Sequence, residues 1–187
     1  MHHAPARNTQ MFSIPDRNLI LTGYIGPNVP ALGQLIAERL RLPFVNVEAQ
    51  IEARAGIPVG DFRDRYGEAR LKTLEAEVMQ AALLRRSSVI YVSGRSLMLS
   101  DYGQRIQQTG PIICLVATLD AVLQRLHLTL GARYHNPSER ALAIAQLKRE
   151  WAVRKLAGIH ELDTTGMSEG EIVEAVITHW QQVAVGY

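Results

Sequence analysis

The residues Gly23-Tyr-Ile-Gly-Pro-Asn-Val-Pro30 stand between an apolar segment and one of helical period, where a phosphate-cradling loop would lie. Such a loop reads G-x-x-x-x-G-K-[ST]. Its backbone N–H groups surround the phosphates, its lysine reaches the β and γ oxygens, and its hydroxyl holds magnesium. Gly23 keeps the first position and Gly26 adds a glycine within the loop, but Asn28 stands at the second glycine, Val29 at the lysine and Pro30 at the Ser/Thr. Asn28 tolerates positive φ better than most residues, so the turn is expected to survive. Pro30 suits a first helical turn yet offers neither an N–H donor nor a hydroxyl. Without the lysine no fixed positive charge faces a polyphosphate. These residues alone describe a strand-to-helix connection that keeps its shape and loses its phosphate chemistry.

Other chemistries find less support. His127, His135 and His160 lack metal-ligand spacing, and no metal site is expected. The single Cys114 lies in the apolar run Pro111-Ile-Ile-Cys-Leu-Val-Ala117, which excludes an internal disulfide and predicts a buried packing thiol. Lys plus Arg is 20 and Asp plus Glu is 18; the net charge of +2, with basic residues scattered, argues against nucleic acid or an anionic membrane as partner. The first ten residues have no apolar core of a secretion signal and no run is long enough to span a bilayer, so a cytoplasmic protein is expected.

Short apolar segments alternate with longer helical ones, the pattern of a parallel sheet wrapped by helices. Strands are predicted at 18–22, 43–47, 89–92, 112–117 and 161–163. Helices are predicted from Pro30 to Leu40 and over 48–54, 68–85, 97–108, 119–128, 138–157 and 169–183, with Ser138 as a cap. Residues 1–16 read as a polar tail and 17–187 as one domain.

The order of these segments resembles the shikimate kinases. Asn18 to Gly33, followed by Leu42-Pro-Phe-Val-Asn-Val-Glu-Ala-Gln-Ile-Glu52, is similar to the opening of that family, and the similarity continues through Gly67-Glu68, Lys72-x-x-Glu75, Ser93-Gly94, Leu123-x-Arg125, Arg133 and the helix bearing Arg149. The resemblance implies a three-layer α/β fold of the P-loop kinase type, with a five-stranded parallel sheet in the order 2-3-1-4-5 and helices on both faces. It places a magnesium-holding aspartate at Asn46 and a substrate-hydroxyl contact at Glu48. It places substrate arginines at Lys72 and Arg149, and nucleotide-side arginines at Arg125 and Arg133. Lys72 keeps the charge but cannot make the bidentate fork to a carboxylate. The family's glycine triplet has become Ser93-Gly94-Arg95, so Arg95 is expected to push a long side chain into the space beside Gly94. Ala152 and Val153 stand in place of the family's Leu-Tyr.

Three function classes follow. The first is an inactive kinase fold kept to bind a small molecule, such as a carboxylated polyol, or a protein partner or second copy; it needs no cofactor. The second is a working kinase using ATP and magnesium on shikimate or a related hydroxy acid, with charge supplied by Arg95, Arg125, Arg133 or Lys72. The third is a structural subunit, for which Trp151 and the terminal Trp180 to Tyr187 would supply interface aromatics, although core packing is the preferred reading of Trp180.

Overall fold

A computed structural model describes residues 16–185 of the chain. The tail expected over 1–16, Asp16 excepted, and the terminal Gly186-Tyr187 lie outside the described residues. Five parallel strands form one sheet: β1 (Leu19–Gly23), β2 (Phe44–Asn46), β3 (Val89–Tyr91), β4 (Ile112–Val116) and β5 (His160–Asp163). Their spatial order is β2-β3-β1-β4-β5, as the resemblance implied. β1, β3 and β4 are buried at every residue, which is why they read as continuous apolar runs rather than alternating ones.

The two-residue period of β1 decides which layer each side chain enters. Leu19 and Leu21 join one core beneath α1 (Val29–Leu40), which also receives α7 (Leu119–Leu130) and α9 (Glu169–Val185). Ile20 points the other way, with Ile90 and Ile112 beside it in register, into a second core. There it meets α2 (Val47–Ala55) and α4 (Glu68–Leu83). Trp180 of α9 is 3% exposed and its indole N–H donates to the Asn18 carbonyl at 3.3 Å, so it is a core residue. Trp151 is half-buried against the first core. Cys114 is buried, and burial pushes its thiol up to about 12.

Three helical expectations change. The segment expected as one helix over 97–108 divides into α5 (Gly94–Leu97) and α6 (Tyr102–Gln107), because Ser100 between them takes a left-handed φ of 53°. The long helix expected over 138–157 is α8 (Pro137–Glu150), followed by a tighter 3₁₀ stretch over Trp151–Lys155. Its cap is Asn136, whose side chain accepts from the Ser138 N–H at 3.0 Å, so Ser138 receives the cap rather than supplying it. The polar segment between α2 and α4 also folds, as α3 (Val59–Tyr66); it buries no residue fully and so carries little apolar periodicity. Among the described residues no helix is long and apolar enough to cross a membrane.

Candidate functional site

Parallel sheets of this kind present their binding surface at the carboxyl ends of the strands. Five turns meet there: Gly23 to Asn28 after β1, Asn46 after β2, Ser93-Gly94 after β3, Thr118 after β4 and Thr164 after β5.

The β1 turn is fixed by its glycines. Gly23 has φ +100°, and a Cβ on it would fall against the Leu115 carbonyl oxygen, well inside contact distance, so only glycine fits against β4. Gly26 has φ +139°. Asn28 departs from expectation: it sits at φ −90°, ψ 4°, and the positive φ falls on Gly23 and Gly26 instead. Its amide donates to Glu169 Oε1 at 3.3 Å, tying the start of α1 to the start of α9. Val29 is 1% exposed and part of the first core, and Pro30 sits in the first turn of α1.

Arg125 of α7 approaches this turn from the far side. Its guanidinium donates to the Ile25 carbonyl at 3.4 Å, to Thr164 Oγ1 at 3.1 Å and to the Thr164 carbonyl at 2.6 Å. All three acceptors are internal, so it joins the loop after β1 to the loop after β5. A cavity of about 280 Å³ lies beside it, walled by Val29, Leu32, Leu128, Met167 and Ile172, with Arg125 at its polar side. Arg133 is not brought to this cavity. It lies in the 3₁₀ stretch Gly131–His135 and donates to both oxygens of Glu139, at 3.1 and 3.0 Å.

A second, wider cavity of about 420 Å³ opens on the β2–β3 side. Pro30, Asn46, Glu48, Tyr91, Glu150 and Arg149 are among its walls. Asn46 accepts from the Ala49 N–H at 3.1 Å and so caps α2. Glu48 Oε1 accepts from the Ser93 N–H at 3.2 Å and from Ser96 Oγ at 2.9 Å. Arg149 is exposed on α8. Lys72 is exposed on α4 and is not a wall of the cavity.

Arg95 does line this cavity, but it does not fill the space beside Gly94. Its guanidinium pairs with Glu75 of α4 at 3.2 Å. The space is taken by α8 and the stretch after it: a Cβ on Gly94 would lie 2.6 Å from the Glu150 carbonyl oxygen, 2.9 Å from Glu150 Oε2 and 3.0 Å from Val153 Cβ. Glu150 itself is 7% exposed, and its Oε2 accepts from the Gly94 N–H.

Burial raises the Glu150 carboxyl, the Gly94 N–H lowers it and the nearby Glu48 raises it further. Burial raises Glu75 too, against the opposing pull of Arg95. Tyr91 is raised by burial and then by Glu150 and Glu48, and Tyr24 by burial and then by Glu150. Of these four groups, Tyr91 and Glu150 line the wider cavity, where Glu48 and Glu52 add further carboxylates. Sequence reading assigns no site role to Glu150 or Glu75, though a signal is present. Glu150 follows buried Leu147 by three residues, and Glu75 follows buried Leu71 by four, so both carboxylates sit on the apolar face of their helix. Among the described residues, no group of three or more His, Cys, Asp or Glu is arranged to hold a metal ion.

Comparison with known proteins agrees with this layout. The family model described as shikimate kinase matches residues 31–181, a span that begins one residue past Pro30. The shikimate kinase of Geobacter sulfurreducens is 31% identical over 179 residues, covering 92% of this chain and 96% of that protein. The one from Thermodesulfovibrio yellowstonii is 27% identical over 173 residues, covering 91% and 98%. Among solved structures, Acinetobacter baumannii shikimate kinase in complex with shikimate superposes with a TM-score of 0.69 at 18% identity, over 87% of this chain and 92% of that one. Bacteroides thetaiotaomicron shikimate kinase gives 0.65 at 21%, over 89% and 96%.

Proposed function

The chain belongs to the shikimate kinase family, and from that premise we propose that it is a member which no longer transfers phosphoryl groups from ATP and instead uses its wider cavity to bind a small hydroxylated molecule. The observation that carries this is the place of Val29. The one position of the loop that could hold a phosphate-facing lysine carries a valine packed in the first core at 1% exposure. The rest of the donor set does not fit magnesium and ATP either. Pro30 has no hydroxyl, Asn46 gives an uncharged amide whose oxygen caps α2, and Arg125 is committed to Ile25 and Thr164. Phosphoryl transfer rests almost wholly on positioned charge, and this side of the molecule supplies packing in its place. A cytoplasmic setting belongs to the same reading, supported by the buried thiol of Cys114.

A second reading, a working kinase for shikimate or a related acid, is favoured by its kinase relatives and by the two guanidinium groups, Arg95 and Arg149, that line the wider cavity. Titration calorimetry with ATP and magnesium, together with a coupled assay for ATP-dependent phosphorylation of shikimate, separates the two. No nucleotide heat and no turnover are expected. Turnover that vanishes on Arg149→Ala or Arg95→Ala would overturn the first reading in favour of the second.

A further inference from the structure

Glu48 and Glu150, two walls of the wider cavity, each accept from a backbone N–H just past β3. Ser93 N–H donates to Glu48 Oε1 at 3.2 Å, and Gly94 N–H donates to Glu150 Oε2. A carboxylate entering from solvent finds neither donor free. It also meets like charge: Glu48, Glu52 and Glu150 line the cavity, against Arg95 and Arg149. Arg95 is already neutralised by Glu75, whose side chain is only 4% exposed. Arg149 is exposed, where water and salt weaken its pull. Glu150 is the decisive group, because it is nine-tenths buried and its charge is the least screened of the three.

We infer that Glu150 sets the ligand specificity of this cavity by acting as a built-in carboxylate on the Gly94 amide, so that the site rejects carboxylic acids and accepts hydroxylated rings that carry no negative charge. The inference rests on reading this cavity as a small-molecule site. Two facts of packing support it as a built arrangement. The Gly94 N–H and Glu150 belong to segments 56 positions apart in sequence, brought together by α8 lying directly on α5. Gly94 also leaves no room for any side chain that would push Glu150 aside.

The test compares shikimate with methyl shikimate, which differ in the negative charge and little else, by calorimetry on the wild type, Glu150→Gln and Glu150→Ala. Glu150→Gln keeps an oxygen to accept from Gly94 and removes the charge; Glu150→Ala frees the amide. The wild type is expected to prefer the neutral ester, and both variants to shift the acid-to-ester preference toward the acid by about ten- to a hundredfold, the scale of a like-charge clash removed from a poorly solvated site. A wild type that binds the acid as well as the ester, or a preference unchanged in both variants, would overturn the inference while leaving the cavity a small-molecule site. A wild type that binds neither probe, with variants that gain the acid, would support the role of Glu150 and count against the proposed retained binding. If no variant binds either probe, the inference fails along with that reading. Thermal melts of each variant establish that the fold is intact in every comparison.

Discussion

The two cavities at the carboxyl edge of the sheet are built in opposite ways. On the β1 side packing dominates: Val29 is buried in the first core, and Arg125, the one cation lining that cavity among the described residues, turns its guanidinium to internal carbonyls. On the β2–β3 side charge dominates, with carboxylates accepting from the backbone donors after β3. A nonpolar substitution at a phosphate site leaves little for a ligand to grip, and the region then serves the fold. A polar cavity with satisfied donors remains a recognition surface whose preference can change.

The largest expected effect tests the claim that the β1 turn is now structural. Gly23→Ala places a methyl group against the β4 backbone at a φ alanine avoids, and should destabilise the protein by about 3 kcal/mol in urea unfolding. A loss below about 1 kcal/mol would mean the turn is free to move.

Next, Arg125→Ala removes three hydrogen bonds from α7 to the β1 and β5 loops and is expected to cost about 2 kcal/mol, with the Thr164 carbonyl keeping the Met167 N–H as its remaining donor. If Arg125 instead served a nucleotide, its loss would barely move the melting curve and would abolish nucleotide binding.

Rebuilding the loop by Asn28→Gly, Val29→Lys and Pro30→Ser together exchanges packing for charge. The free protein should lose about 1–2 kcal/mol, since the lysine introduced in place of Val29 must leave the core or be desolvated in it. Nucleotide should restore part of that loss in a thermal-shift assay. Turnover at ordinary enzymatic rates of ~1 to 10³ per second in this variant would show that the wider cavity and Asn46 are no barrier to catalysis.

The smallest effect sharpens the other side of the comparison. The Glu150 carboxyl is raised in the folded state, so the fold holds more proton than the unfolded chain just above the ordinary carboxylate range. The wild type should therefore lose stability as pH rises through that window. Glu150→Gln does not titrate, and the variant's advantage in Tm over the wild type should grow by about 2 °C from pH 4 to pH 7. Glu75 titrates in both proteins and cancels in the difference. An advantage that shrinks with pH would mean the Gly94 N–H outweighs burial at Glu150.

Sequence by itself determined the layered fold, because apolar runs of strand length alternating with helical periods leave few ways to bury both faces of a sheet, while the strand order was legible only through the resemblance to the shikimate kinases. It also determined what the loop lacks, since the absence of a lysine or hydroxyl is a matter of composition. Tertiary structure alone decided what took their place. Asn28 as a left-handed residue was a sound local expectation, yet Gly23 and Gly26 absorb the positive φ, and only the approach of β4 to Gly23 makes that arrangement necessary. Arg95 looked like an obstruction because it follows Gly94, but Glu75, twenty positions earlier on α4, draws it away. Glu150 reaches Gly94 across 56 positions. Helical spacing could mark it as inward-facing, but which donor it meets depends on how α8 lies on α5. Charge acts through distance in space, and distance between residues far apart in the chain is set only when the whole core has packed.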